Sequence, residues 1–525
     1  MLSVSGGVRR GAVTRGGIFR VMAWAFWPVV ACCFIESVAF AQPAEVAPAD
    51  LKDFEESWQV IYIGNSRVGY VRGSSGRLER DGQEVVITDS EMSTTISRFK
   101  QTLKSKVLTH SEEAPSGDLL AFRFEMLNPP AAPTRSSGRV VDGKLLLTTE
   151  TNGKSTTKEL KWDNTVKSPA FQDRLLRENP LKPGDKRVFE SFDPQFGKRN
   201  TVTLKAGDYE TVTLLGGKTQ KLLAVTISQS VAPLITATEY LDDKGVGLKS
   251  TVSLANMITY SVSREEALKA LTGEEVDLAV STLVKVKPID RARNSLEAVY
   301  RISVAGDDPA KALTTGNTQA ITRVTPHVID LTVTSVRPPE QAPPEAADQP
   351  GAEFLASNEY IQTDDALVQK HAAEAVGEET DPWKQAQLME KWVADNLKNK
   401  NFSTLLASAA EVAKTLSGDC TEHAVLLAAM CRTQQIPSRV AVGLVYVPTL
   451  SSFGGHMWTE VYIRGVWVPL DATLGRGVVA ADHIKFADTS FSDEGEATAV
   501  TSFLPLVSAL GKMKIEVQSV KYPPK

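Results

Sequence analysis

Ser417-Gly418-Asp419-Cys420-Thr421-Glu422-His423-Ala424 is the stretch on which the reading of this 525-residue chain turns. Asp419 is a good N-cap, and Glu422, three residues on, completes a capping box, so a helix should begin at Cys420. Orphan N–H groups and the positive end of the helix dipole lie at that first position. Both favour thiolate over thiol, and the backbone N–H of Cys420 is a ready donor for an oxyanion. Ala424, Leu427, Ala428 and Cys431 continue one face of an amphipathic helix that ends near Gln435-Ile436-Pro437. His423 reads as a solvent-side residue, or else as a rival base. Cys431 reads as core.

Downstream, Arg439-Val440-Ala441-Val442-Gly443-Leu444-Val445-Tyr446-Val447 has the near-continuous apolar character of a buried strand. A Ser/Gly loop over 448–455 should follow, then strands over 456–463 and 466–470 joined at Arg464-Gly465. That turn sets His456 opposite Thr473. Asp471 then lies diagonal to His456 on the same face, about 7–8 Å away between backbones. Cys420, His456 and Asp471 are therefore candidates for nucleophile, base and the group that orients the base. Trp458 and Trp467 read as packing residues. His110, His327, His371 and His483 show no metal-ligand spacing, so neither metal nor cofactor is assigned.

Upstream, Asp381-Pro382-Trp383 should start a helix with Pro at its first position, and Ser408 with Glu411 should cap a second one. The dense prolines of 337–353 mark a linker. Residues 280–336 read as a small β domain, with its clearest strands around 296–304 and 328–334. Residues 42–279 read as an antiparallel β-rich domain, because Asp81-Gly82, Asp142-Gly143 and Gly216-Gly217 each separate β-prone runs. A short helix over 263–272 should end it. The fold class expected is multidomain: a β-rich antiparallel N-terminal region followed by an α+β domain over 354–525.

Arg9, Arg10, Arg15 and Arg20, an apolar stretch over 21–35 and Ala39-Phe40-Ala41 together read as a signal peptide over 1–41. A retained anchor, or lipid attachment at Cys32, are the alternatives. Net charge is −5, which gives no electrostatic case for nucleic acid. Beyond the leader only Cys420 and Cys431 remain of the four cysteines. On one helix they would lie roughly 16 Å apart, too far to bridge. The exported chain should thus carry a free thiol.

The run 418–424, then Ile436-Pro437-Ser438-Arg439-Val440-Ala441-Val442-Gly443, His456-Met457-Trp458-Thr459-Glu460-Val461-Tyr462 and Trp467-Val468-Pro469-Leu470-Asp471-Ala472-Thr473 resemble the core motifs of the transglutaminase-like superfamily. Asp482-His483-Ile484-Lys485 looks like the tail of bacterial members. The resemblance covers about 354–525 and implies a papain-like α+β fold with Cys420, His456 and Asp471 as a triad. Ala472 stands where the family typically has Pro, and Gln435 where it has Gly; its second oxyanion donor transfers to no position. The resemblance implies acyl transfer on protein or peptide amides through a thioester. Hydrolysis, as protease or amidase, is the first expectation. A crosslinking transglutaminase is the alternative, and a catalytically silent binding module the second. The expected location is periplasmic or extracellular, with no membrane span after leader cleavage, and the expected partners are a protein or peptide substrate and the cell envelope.

Overall fold

Asp81 and Gly82 have φ of 53° and 74°, and Asp142 and Gly143 have 48° and 71°, the paired left-handed residues that a tight two-residue hairpin demands. Repeated hairpins of this kind build the N-terminal half of the computed structural model. The structure describes residues 50–98, 100–129, 133–151, 154–253, 256–271, 277–341, 349–399, 407–492 and 499–524. The leader over 1–41 lies outside them, as do residues 342–348 of the Pro-rich stretch.

Fourteen antiparallel strands form one sheet. Strand Lys52–Ile63 lies inside it, paired with Ser66–Arg80 on one side and with Met257–Val262, the last strand, on the other. Two meanders thus run outward from a shared seam. The sheet is not flat: Phe192, on the edge strand Lys186–Asp193, packs on Phe122 of Leu119–Leu127 with ring centroids 4.9 Å apart. Those strands lie ten places apart in the order, so the sheet folds back on itself and buries Phe122, Leu145, Trp162 and Phe192 together. Ser263 Oγ accepts the Glu266 N–H as the N-cap, but the helix expected over 263–272 is the single turn Arg264–Ala267.

A second sheet has four strands. Glu297–Val304 lies between Val328–Thr334 and the C-terminal strand Met513–Lys521, with Gln319–Thr325 outermost. It is clamped to the rest of the molecule. Tyr300 donates to the Ala481 carbonyl at 2.7 Å, and Gln319 donates to the Lys485 carbonyl at 2.7 Å. One apolar core runs from this sheet into the helices and strands that follow.

In that last region Cys420–Thr433 is the central helix. Every residue from Thr421 to Arg432 is buried, so it is not the amphipathic helix expected. Helices Ala366–Val376, Pro382–Asn396 and Ala409–Thr415 surround it, and strands Ser438–Val447 and Ser452–Ile463 cover its remaining side. A helix enclosed in this way is apolar all round. Leu426, Leu427 and Met430 are fully buried, each contributing about 1.5–3 kcal/mol. Arg432 is tolerated there because the carbonyls of Ala356, Ser438 and Ser490 accept its N–H groups at 2.7–2.9 Å. The five-stranded sheet is ordered Val284–Lys285, Ser452–Ile463, Ser438–Val447, His483–Thr489, with Val466–Leu470 also on Ser452–Ile463. The molecule therefore joins a large antiparallel β-rich N-terminal region to a C-terminal region of helices and strands. Among the described residues no helix is long and apolar enough to cross a membrane.

Candidate active site

Asp419 Oδ1 accepts the Thr421 N–H at 2.9 Å, and Glu422 Oε2 accepts the Asp419 N–H at 2.8 Å. The helix begins at Cys420, as its capping residues require. Gly418 makes this turn feasible: a Cβ there would lie 2.3 Å from Glu422 Cβ. Glu422 also accepts the Ala407 N–H at 2.9 Å. Burial and the neighbouring Asp419 charge outweigh these donors and raise the Glu422 carboxyl to about 8. His423 is buried rather than solvent-side, and its Nδ1–H donates to the Asp419 carbonyl at 2.6 Å. The enclosed helix leaves that face no solvent.

The hairpin has the register that its turn dictates. Thr459 pairs with Leu470, Val461 with Val468 and Ile463 with Val466, with Arg464 and Gly465 both at positive φ. The strand, however, begins at Ser452, because Gly454 and Gly455 pair in the ladder with Val445 and Leu444. The loop expected over 448–455 shrinks to the turn Pro448–Leu450. His456 thus sits inside a strand, opposite Gly443. Asp471 lies just past the end of Val466–Leu470. His456 Nε2 and Asp471 Oδ2 are 2.8 Å apart, and the Thr473 N–H donates to Asp471 Oδ1 at 2.9 Å.

The thiol meets the same strand. The Met457 N–H, next after His456, is a hydrogen-bond donor to Cys420. Thr459 fixes the approach by donating its hydroxyl to the Ala424 carbonyl at 2.9 Å. Cys420 keeps partial exposure, and both it and Cys431 are free thiols. The thiolate-favouring setting expected at a helix start is overridden here. Burial and the Asp419 carboxylate push the thiol well above its ordinary value, against the pull of Arg98 and the Met457 N–H.

Two groups at the site escaped the sequence reading. His483 Nε2 lies 3.2 Å from the same Asp471 oxygen, and its Nδ1 lies 2.8 Å from Asp482 Oδ1. Arg293 in turn holds Asp482 at 2.9 Å. Gly443 brings this strand in: a Cβ there would lie 2.0 Å from the Ile484 carbonyl oxygen. Burial would depress His483, but Asp482 and Asp471 outweigh it and raise the imidazole to about 9. Burial would likewise raise Asp471, yet His456 and His483 hold it far below the usual carboxylate range. The second group is Glu390, buried and accepting the Gly477 N–H at 3.0 Å. Burial, with Asp471 nearby, raises it to about 7. The Asp-His dipeptide at 482–483 was the only available signal for the first group, and a lone Glu on a helix gave none for the second.

Trp458 lies edge-on to His483, centroids 5.2 Å apart, and near-parallel to His456 at 6.3 Å. Its indole N–H is buried with no acceptor among the described residues. Trp467 is a packing residue, with Arg439 stacked over its ring at 4.2 Å. His456, Asp471 and His483 each offer a ligand atom within 4.8 Å of the others. As a donor set they would suit a divalent cation, but a cation there would take the His456 nitrogen that Asp471 holds.

Comparison with known proteins adds a family. The profile of the transglutaminase-like superfamily matches residues 369–472, a span containing Cys420, His456 and Asp471. An uncharacterized protein of Haemophilus influenzae is 27% identical over 178 residues, 29% of this chain. The chain spans about half of that relative, 46% of its length. A solved structure of a candidate cysteine protease from Cytophaga hutchinsonii is similar over 43% of this chain and 89% of its own, at 18% identity and TM-score 0.28. A β-barrel-like protein from Brucella abortus, of a domain family of unknown function, is similar over 39% of this chain and 93% of its own, at 14% identity and TM-score 0.29. With the helix start, the hairpin and the profile in agreement, residues 369–472 are a transglutaminase-like superfamily domain.

Proposed function

We propose that this protein is a cysteine-dependent acyl-transfer enzyme acting on protein or peptide amides outside the cytoplasm, with hydrolysis as its outcome. One observation carries the reading: His456 holds Asp471 at 2.8 Å while the next amide along the strand, that of Met457, bonds Cys420. The base and the amide that meets the nucleophile thus share one strand, with the orienting carboxylate just past the end of its hairpin partner.

Because Asp471 engages His456 Nε2, Nδ1 is the nitrogen available to the thiol proton. Cys420 Sγ attacks the carbonyl carbon as His456 Nδ1 takes its proton, and the carbonyl oxygen becomes an oxyanion facing the helix start. The C–N bond then breaks, and the Nδ1 proton leaves with the amine or ammonia. Water attacks the thioester, returns a proton through Nδ1, and the C–S bond breaks to release the acid. The water acceptor is assigned from the resemblance to bacterial members; a lysine amine in its place would make a crosslink. The extracytoplasmic location rests on the leader sequence, and N-terminal sequencing of the mature protein should begin at Gln42.

A glutamine-rich protein offered together with a labelled amine tests the chemistry. Release of ammonia or new N-termini, lost in Cys420→Ala, is expected. Amine incorporation that exceeds hydrolysis would overturn the choice of acceptor. No Cys420-dependent product from a range of peptide amides would leave a binding module instead.

A further inference from the structure

Arg98 ends the strand Gln83–Arg98 of the N-terminal sheet, 322 residues before the cysteine. Its guanidinium nevertheless lies 2.8 Å from Asp419 Oδ2, with both side chains largely buried. It also lies within electrostatic range of Cys420, Glu422 and Asp277. The approach is built rather than incidental. Ser97 forms a bridge with Asp277, and the Lys100 N–H donates to Asp277 Oδ2 at 2.9 Å. The helical turn Leu278–Ser281 then touches both the Arg98 strand and the His456 strand. Further along the contact, Leu504 packs with Ala232 and Ile235 in the turn between strands Thr219–Gln229 and Thr236–Leu241.

The charges around Cys420 explain what an arginine does there. Its own helix presents Asp419 and Glu422, with His423 tied to the Asp419 carbonyl. The covering strand presents His456 and the Met457 N–H, with Asp471 behind the imidazole. The N-terminal sheet presents Arg98. Glu422 is held in its neutral form by burial and by Asp419, so Asp419 is the carboxylate that opposes a thiolate most directly. That carboxylate serves as the N-cap, and it stands next to the nucleophile. An adjacent arginine is the physical remedy, since an opposite charge offsets it without removing the cap.

We propose that Arg98 is a positioning residue of the Cys420 site: by pairing with Asp419 it offsets that carboxylate beside the nucleophile, so the reactive thiolate forms only when the N-terminal sheet is docked on the transglutaminase-like domain. The proposal rests on Cys420 being the nucleophile. It gives the large β region a part in the chemistry, through one side chain.

The test is alkylation of the full-length protein by iodoacetamide across the neutral-to-alkaline range, reading Cys420 and Cys431 separately by peptide mass. Cys431, fully buried, reports unfolding. Arg98→Met should raise the Cys420 midpoint by at least about one pH unit and slow its alkylation about tenfold at neutral pH. Arg98→Lys should restore most of the rate. Asp419→Asn, which keeps a capping side chain, should lower the midpoint, and in that background Arg98→Met should change little. An unchanged midpoint in Arg98→Met, or faster alkylation as from an unblocked site, overturns the proposal. Should Arg98→Met expose Cys431, Asp419→Asn decides alone: an unmoved midpoint there also overturns it. Normal titration without any acyl transfer would count against the reaction proposed above and leave the role of Arg98 standing.

Discussion

Asp471 Oδ2 receives two imidazoles, and they do different work. His456 lies on the strand that covers the thiol, whereas His483 is held between Asp471 and Asp482 with both nitrogens on carboxylates. A buried imidazole in that position is charged, and folding raises it from 6.5 to about 9. A group whose folded value is raised contributes stability that is complete below its unfolded value and is lost as pH rises through the folded one. The span corresponds to about 3 kcal/mol, as an order of magnitude. Chemical denaturation at mildly alkaline pH should show the wild type losing stability between about pH 6.5 and 9. His483→Gln should be less stable near neutrality and show a shallower slope, the remainder coming from His110 and Glu422, which also hold protons across that window; an unchanged slope would refute the assignment. Gly418→Ala makes the second case. Its new Cβ would meet Glu422, so the helix start should shift and stability fall by about 1–3 kcal/mol in urea unfolding.

At the scale of elements, the hairpin was legible because its determinants are local. Arg464-Gly465 sets the register, and the register alone brings Asp471 to His456. The helix start was legible for the same reason: Asp419, Glu422 and Cys420 lie within four residues. What closes on them from afar was not legible. His483 arrives through a bulge at Val442 and Gly443, and Arg98 through another sheet; no spacing encodes either. The amphipathic reading of the Cys420 helix failed because His423 read as its solvent side, yet the Asp419 carbonyl satisfies that imidazole in the interior. The Gly-rich approach to His456 read as a loop because a backbone ladder tolerates glycine without announcing it. Gln435 yields a prediction here. It follows the helix with φ of 59°, a conformation that costs a side-chain-bearing residue about 1–2 kcal/mol. Gln435→Gly should raise stability by about 0.5–1 kcal/mol, read as a higher Tm with alkylation of Cys420 unaltered.

For the whole molecule, the two halves are coupled at more than one place. Arg98 reaches the helix start, and Val284–Lys285 pairs with the His456 strand at Phe453 and Ser452. Disturbing the docking should therefore register at the thiol before it registers in secondary structure. A chain ending at residue 512 tests the other end of the assembly. Without Met513–Lys521, strand Glu297–Val304 loses one of its two neighbours. Ile515, buried in the common core, goes with it. Cooperative unfolding at a markedly lower temperature, with Cys431 becoming reactive, is the expected outcome; an unshifted transition would show that the strand is dispensable.

That C-terminal strand also sets a clock. Glu297 pairs with Lys521 and Val304 with Met513, so the small sheet waits more than two hundred residues for its last member. Contacts of such separation form late, after the entropy of closing a long loop has been met. A nascent chain that has already delivered Cys420, His456 and Asp471 still lacks the strand that seals their core. The nucleophile is thus made before its frame, and a chain interrupted between Asp471 and Met513 would carry the reactive groups without the enclosure that organises them.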